Sequence, residues 1–267
     1  MTESFGANDW GLILGASSGF GEATSIELSR RGMNICGVHL DRRATLPHVQ
    51  EIVDAIQKNG RTALFFNVNA ADEEKRREVI AGLKAQIGTG FVRVLLHSLA
   101  FGTLKPLVAE SVDDQITPAQ MNMTLDVMAH SLVYWVQDAI RAGLLRDGSR
   151  VYAMTSLGSL QAAPTYGAVS AAKSALESHI RQLTMELSHM GITFNAIRAG
   201  VTETPSLQKI PGHESMILSA LKKNPSGRLT TPIDVARAIA VLAHPDTYWL
   251  TGNVINVDGG EMIVGTK

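Results

Sequence analysis

The chain has 267 residues and carries 24 Lys+Arg against 25 Asp+Glu, and a net charge of −1 argues against a phosphate-tracking nucleic-acid binder. At 45% hydrophobic and 18% charged residues it lies far from the composition of disordered chains, and its length fits one large α/β domain or two small ones. One cysteine, Cys36, can form no internal disulfide and leaves a zinc cluster short of thiols, so no metal site is expected. The opening MTESFGANDW lacks the basic and apolar regions of a secretion signal. Apolar runs such as AIAVLA fall short of the roughly 20 residues needed to span a bilayer. A soluble cytoplasmic protein with no membrane partner is the expectation.

In chain order, the pattern predicts strand 10–15, helix 20–31, strand 33–39, helix 47–59, strand 62–68, helix 72–87 and strand 92–97. Helix 124–145, strand 149–154, helix 165–189, strand 192–197, helix 232–243 and strand 253–257 complete it. The strands lack clean alternation, as expected where both faces of a parallel sheet are buried. Seven strands alternating with helices predict one doubly wound parallel sheet with helices on both faces. No linker or repeat divides the chain, so a single domain over 1–267 is expected. Residues 200–231 hold three of the nine prolines and no strand, and a long excursion of this kind predicts a substrate lid. A surface loop is the plainer alternative.

The first strand runs into Gly15-Ala16-Ser17-Ser18-Gly19-Phe20-Gly21 and then a helix. Glycines permit the tight turn and bring the backbone to a pyrophosphate, which the helix N-terminus stabilises. Gly15, Ser17, Ser18, Gly19, Phe20 and Gly21 are therefore candidate dinucleotide contacts. The second strand ends in His39-Leu40-Asp41-Arg42-Arg43. Asp41 suits a ribose 2′-hydroxyl, whereas Arg42 and Arg43 suit a 2′-phosphate. The balance favours NADP(H) over NAD(H).

Tyr166 and Lys173 are seven apart, which on a helix leaves them about 20° from one face and about 10.5 Å apart along the axis. A neighbouring ammonium favours an ionised phenol, so the pair can donate a proton or stabilise an oxyanion. A core tyrosine beside a snorkelling lysine is the alternative reading.

These motifs resemble the short-chain dehydrogenase/reductase superfamily over nearly the whole chain. The resemblance rests on the glycine turn, Asn67-Val68, the Ser156/Tyr166/Lys173 block, Asn195-Ala196-Ile197-x-x-Gly200 and Thr251-Gly252…Asp258-Gly259-Gly260. It implies a Rossmann-like fold in which Lys173 binds the nicotinamide ribose, Tyr166 is the acid and Ser156 assists. The common Tyr-x3-Lys spacing would put the tyrosine at Val169, but this chain has Tyr-x6-Lys. His97-Ser98-Leu99-Ala100-Phe101 replaces Asn-Asn-Ala-Gly, Met128 stands where the helix asparagine is expected, and Arg198-Ala199-Gly200 replaces the usual Pro-Gly. These departures resemble the divergent enoyl-acyl-carrier-protein reductases, and the Thr155–Leu160 block looks like their type III members.

The resemblance implies NAD(P)H-dependent reduction of a trans-2-enoyl thioester in fatty acid or related acyl biosynthesis. Charge then develops two carbons beyond the carbon that takes hydride, and moving a tyrosine three residues along a helix displaces it by about 4.5 Å. A 3-ketoacyl or carbonyl reductase, a dienoyl thioester reductase and a non-catalytic nucleotide sensor are the rivals. Asn67 and Val68 are expected near adenine, Ser98, Leu99 and Ala100 along the cofactor, and Thr202 and Thr204 at its carboxamide or phosphates. Ordinary strand ends and helix capping are the rivals there. His39 and His97 sit at strand ends without an evident carboxylate partner and are not assigned to catalysis. Met121, Met123 and Met128 suit gap-filling. An acidic acyl-carrier partner would need a basic rim, for which Lys209, Lys222, Lys223 and Arg228 are candidates. A homotetramer or homodimer is implied, with helices 124–145 and 165–189 at its two-folds and Leu132–Val136 as interface or core.

Overall fold

The computed structural model describes residues 5–265; residues 1–4 and 266–267 of the expected 1–267 domain lie outside the described residues. Seven strands, β1 (Asp9–Leu14), β2 (Asn34–His39), β3 (Ala63–Asn67), β4 (Phe91–His97), β5 (Arg150–Thr155), β6 (Thr193–Ala199) and β7 (Val254–Val257), form one sheet. All are parallel, in the order β3-β2-β1-β4-β5-β6-β7. The order reverses between β1 and β4, and ligands of open α/β sheets bind beyond the carboxyl ends of strands at such a switch point.

Successive side chains of β1 enter different cores. Leu12 and Leu14 pack with residues of α3 (Glu73–Ile87), α5 (Ser131–Arg141) and α6 (Gly167–Leu187). Ile13 packs with Leu28 of α1 (Gly19–Arg30), Ile52 and Ile56 of α2 (Leu46–Lys58) and Val235 and Ile239 of α8 (Pro232–Leu242). Burial on both faces removes the polar positions an alternating strand would show. Trp135 is fully buried, and its indole N–H donates to Ala70 O at 2.8 Å, so the large ring enters the core without an orphan donor.

The expected helix 124–145 is two helices. The first, α4 (Pro118–Leu125), starts earlier because Thr117 and Gln120 form a capping box with proline in the first turn. A π-helical turn over Asp126–His130 joins it to α5. The second ends at Arg141, where Leu144 N–H donates back to Ala139 O at 2.8 Å. Between β6 and α8 the chain forms α7 (His213–Lys223) and no strand. Among the described residues, no helix is long and apolar enough to cross a membrane.

Candidate active site

The turn between β1 and α1 is tied to β2, since Gly15 N–H and Ala16 N–H both donate to Val38 O at 2.8 and 3.0 Å. A Cβ at Gly21 would overlap the Gly15 carbonyl oxygen, so only glycine lets the helix begin this close to the strand. Ser18, the N-cap of α1, is extended and makes no side-chain cap bond. The first-turn N–H groups are left uncapped by that side chain, and this cradle fits the pyrophosphate of a dinucleotide. The ring of Phe20 packs on the second core.

Asp41 closes this end of the sheet. Its carboxylate accepts from Thr45 Oγ1 at 2.7 Å, lies 2.9 Å from His39 Nδ1 and is hydrogen-bonded by Ser17 of the turn. Partial burial acts to raise its pKa, but the hydrogen bonds from Ser17, Thr45 and His39 outweigh it and hold the carboxyl below the usual range. Asn67 completes the group, accepting from Asp41 N–H at 2.9 Å and donating to Asp41 O at 3.0 Å. Val68 N–H donates to His39 O at 2.8 Å. The expectation that His39 lacks a carboxylate partner is thus corrected, because the strand end curls Asp41 back onto it. Arg42 and Arg43 are exposed.

Tyr166 lies at the N-cap of α6 rather than inside the helix, so the expected helix 165–189 begins at Gly167. Its carbonyl still accepts the first helical bond, from Ser170 N–H at 2.8 Å. A side-chain hydrogen bond joins it to Ser156, at the end of β5. The ring passes so close to Gly158 that a Cβ there would collide with it. Ser156 Oγ accepts from Gly158 N–H at 3.2 Å. Thr165, just before the tyrosine, has φ +61°, a left-handed conformation rare for a β-branched residue.

Lys173 is 5% exposed and donates to Met154 O at 2.7 Å. Burial pushes its pKa down to about 8, against the attraction of Glu177. The Tyr166 phenol is raised by burial, opposed by its bond to Ser156. The lysine therefore does not lower the phenol as the spacing suggested: its ammonium is engaged by the β5 carbonyl, and desolvation dominates at the tyrosine.

The sequence reading missed the group beneath these residues. Glu177, one turn after Lys173, accepts from Thr155 Oγ1 at 2.7 Å, Ser159 Oγ at 2.8 Å and Arg198 Nη2 at 2.9 Å. Its i,i+4 spacing from Lys173 was the available signal. Arg198 enters from β6, and its partner could not be read from spacing. His97 is fully buried and pairs with Ser131 Oγ at 2.8 Å, and burial, with the Lys173 charge adding to it, pushes its pKa down to about 3. It is a neutral imidazole in a closed site.

Ser98 N–H continues the β4 ladder to Leu14 O at 2.9 Å, which sets Ser98 against the glycine turn. Leu99 packs on the first core, whereas Ala100 is exposed. Thr202 is buried and donates to Gly200 O at 2.9 Å. The Thr204 methyl lies 3.4 Å from where a Gly19 Cβ would stand, so the 200–231 segment touches the turn. Of the suggested basic rim, Lys209, Lys222 and Lys223 are exposed, but Arg228 forks Asp234 at 2.7 and 3.1 Å and is committed to α8. Gly15–Gly21, Asp41, Asn67, Ser98, Ser156, Tyr166, Lys173 and Thr202–Thr204 thus belong to the carboxyl end of the sheet.

A family model described as "Enoyl-(Acyl carrier protein) reductase" matches residues 15–261. The hydroxynaphthalene reductase-like protein Arp2 of Metarhizium brunneum (strain ARSEF 3297) is 28% identical over 269 residues, covering 94% of each chain. The enoyl-[acyl-carrier-protein] reductase (NADH) of Aquifex aeolicus VF5 superposes with a TM-score of 0.83 at 21% identity, covering 97% of this chain and 98% of that one. A short-chain dehydrogenase of Burkholderia cenocepacia J2315, solved with NADP, has a TM-score of 0.80 at 23% identity, covering 96% and 98%. The match over residues 15–261, on a seven-stranded parallel sheet whose switch point carries the glycine turn, identifies the chain as a member of that enoyl-(acyl carrier protein) reductase family and an oxidoreductase of the short-chain dehydrogenase/reductase superfamily.

Proposed function

We propose that the chain reduces the 2,3 double bond of an enoyl thioester, using NADPH. The observation that carries this reading is the position of the phenol. Tyr166 stands seven residues before Lys173 and bonds Ser156, while Val169, the place of the tyrosine in the common spacing, is 5% exposed and packed in the core. A reduced nicotinamide, when bound, supplies hydride, here to the β-carbon of the substrate. Tyr166 then hydrogen-bonds the thioester oxygen on which negative charge develops and gives up its proton there. Ser156, whose hydroxyl bonds the phenol, is the group proposed to turn its proton to the same substrate oxygen as a second contact. Lys173, held by Met154 O, is the group proposed to turn to the ribose, and the lid at 200–231 would exclude water.

Gly15, Ser17, Ser18, Gly19, Phe20 and Gly21 are assigned to the pyrophosphate, Asn67 and Val68 to adenine, and Ser98, Leu99, Ala100, Thr202 and Thr204 to the remainder of the dinucleotide. NADPH is favoured because both Asp41 oxygens are engaged by His39 and Thr45, whereas Arg42 is exposed. Of the solved relatives named above, one is an enoyl-[acyl-carrier-protein] reductase (NADH) and the other was solved with NADP, so either dinucleotide has a precedent. An acidic acyl carrier and a dimer or tetramer complete the proposal.

A second reading, reduction of a ketone on a fused aromatic ring, is favoured by the likeness to the hydroxynaphthalene reductase-like protein. The test is a substrate panel of crotonyl thioester, acetoacetyl thioester and 2-tetralone, each with NADPH and with NADH. The expected outcome is oxidation of NADPH with the crotonyl substrate. Turnover of acetoacetyl thioester or 2-tetralone alone overturns the enoyl reading.

A further inference from the structure

At the opposite end of the sheet lies a cavity of about 690 Å³. Arg93 of β4, Arg150 of β5, Thr193 of β6 and the Tyr248–Trp249 pair before β7 line it. Arg150 and Ser156 are six residues apart on an extended strand, so the cavity is roughly 20 Å from the candidate active site.

Its polar groups are unusual for a buried wall. Arg150 is 2% exposed and makes no ion pair among the described residues; it donates through Nη1 to a main-chain carbonyl, Ser149 O, at 3.2 Å. Its Nε, the Nε of Arg93 and the hydroxyl of Thr193 are buried without hydrogen-bond partners. Arg93 is only partly compensated, with Asp9 Oδ1 at 3.4 Å and Gly148 O at 3.1 Å. Asp147, the one carboxylate in the lining, is exposed. Both guanidiniums line the one cavity, and burial lowers the Arg150 pKa with the Arg93 charge adding to the shift. A buried cation without an ion-pair partner, as Arg150 is, is costly, and an oxyanion in the cavity would offset its charge while adding to the long contact Arg93 makes with Asp9.

The cavity also has an aromatic lip. Trp249 is 82% exposed and Tyr248 61% exposed, with ring centroids 5.8 Å apart at 64°. Rings so displayed stack on planar groups, and the volume falls in the range of small-molecule sites.

We propose that this cavity is a second binding site, separate from the candidate active site, for a small oxyanion carried on a flat aromatic ring. The oxyanion sits between Arg93 and Arg150, and the ring lies against Tyr248 and Trp249. Carboxylate and phosphate share this chemistry, and the probes below separate them.

The experiment titrates the full chain with benzoate, phenyl phosphate, inorganic phosphate and benzyl alcohol at constant ionic strength. Fluorescence and calorimetry are both recorded. Trp10 and Trp135 are buried, so quenching reports chiefly on Trp249. At least one aryl oxyanion is expected to bind tenfold or more tightly than benzyl alcohol and inorganic phosphate. Arg150→Met and Trp249→Ala are each expected to weaken it at least fivefold by calorimetry. The tryptophan variant alters only the surface, so it decides the matter even if Arg150→Met fails to fold. Absence of binding, equal binding of benzyl alcohol, or aryl-oxyanion affinity unchanged in Trp249→Ala overturns the proposal. So does a loss of self-association in Trp249→Ala without any ligand binding, which would make the lip a contact between copies.

Discussion

Arg198 Nη2 and Glu177 Oε1 form an ion pair of 2.9 Å in which both side chains are at least nine-tenths buried. The pair links β6 to α6 one turn beyond Lys173, and the same carboxylate oxygen holds Thr155 and Ser159 on either side of Ser156. Removing one partner of such a pair strands the other charge. Arg198→Met is therefore expected to destabilise the fold by about 3–5 kcal/mol. The double variant with Glu177→Gln should recover part of that loss. Urea unfolding of the four proteins in a double-mutant cycle checks the coupling.

Tyr166→Phe keeps the ring against Gly158 but removes the proton and the bond to Ser156. Under the proposed function, kcat falls about 10²–10⁴-fold. Dinucleotide affinity, read by fluorescence titration, stays within twofold. A matching loss of affinity would contradict the assigned role.

Lys173 has a folded pKa of about 8, below its ordinary 10.5. The unfolded chain thus binds the extra proton between these values, and stability from this residue rises with pH across that window. The slope approaches about 1.4 kcal/mol per pH unit there, and the contribution is lowest below pH 8. Subtracting urea melts of Lys173→Met from those of the parent at pH 7.5–10 isolates this residue. A flat difference would show that the lysine is not desolvated in solution.

Thr165 holds a left-handed backbone immediately before Tyr166, and its buried hydroxyl has no partner. Thr165→Gly relieves that conformation and is expected to raise stability by about 1 kcal/mol. The freed backbone should also let the tyrosine wander from Ser156 and lower kcat severalfold. Thermal unfolding and turnover measured on the same preparation test both halves.

Much of this architecture is legible along the chain because its signals are local. The sequence-predicted strands agree with β1–β7 to within two residues at each end, since continuous apolar runs bounded by turn residues mark strands buried on both faces. The start of α4 was equally readable in Thr117-Pro118-x-Gln120, although periodicity alone placed it later. The π-helical turn at Asp126–His130 has no comparable signature, and the apolar pattern runs through it as one helix. His39 and Asp41 lie two residues apart, yet their pairing depends on the curl of the strand end.

By itself the sequence determined which groups are supplied and at what spacing: the glycine turn on the first strand, the Tyr-x6-Lys interval and the serine before it. Spacing along a helix or strand is set by backbone geometry, which short-range sterics dictate. The tertiary structure alone decided which way the charges act. Burial raises the Tyr166 phenol, depresses Lys173 and leaves His97 neutral, whatever their neighbours in sequence. It also set Arg198 on Glu177 and placed Arg93 and Arg150 on the walls of one cavity at the far end of the sheet. Desolvation and charge pairing depend on distances across strands that are remote in the chain, and only packing fixes those distances.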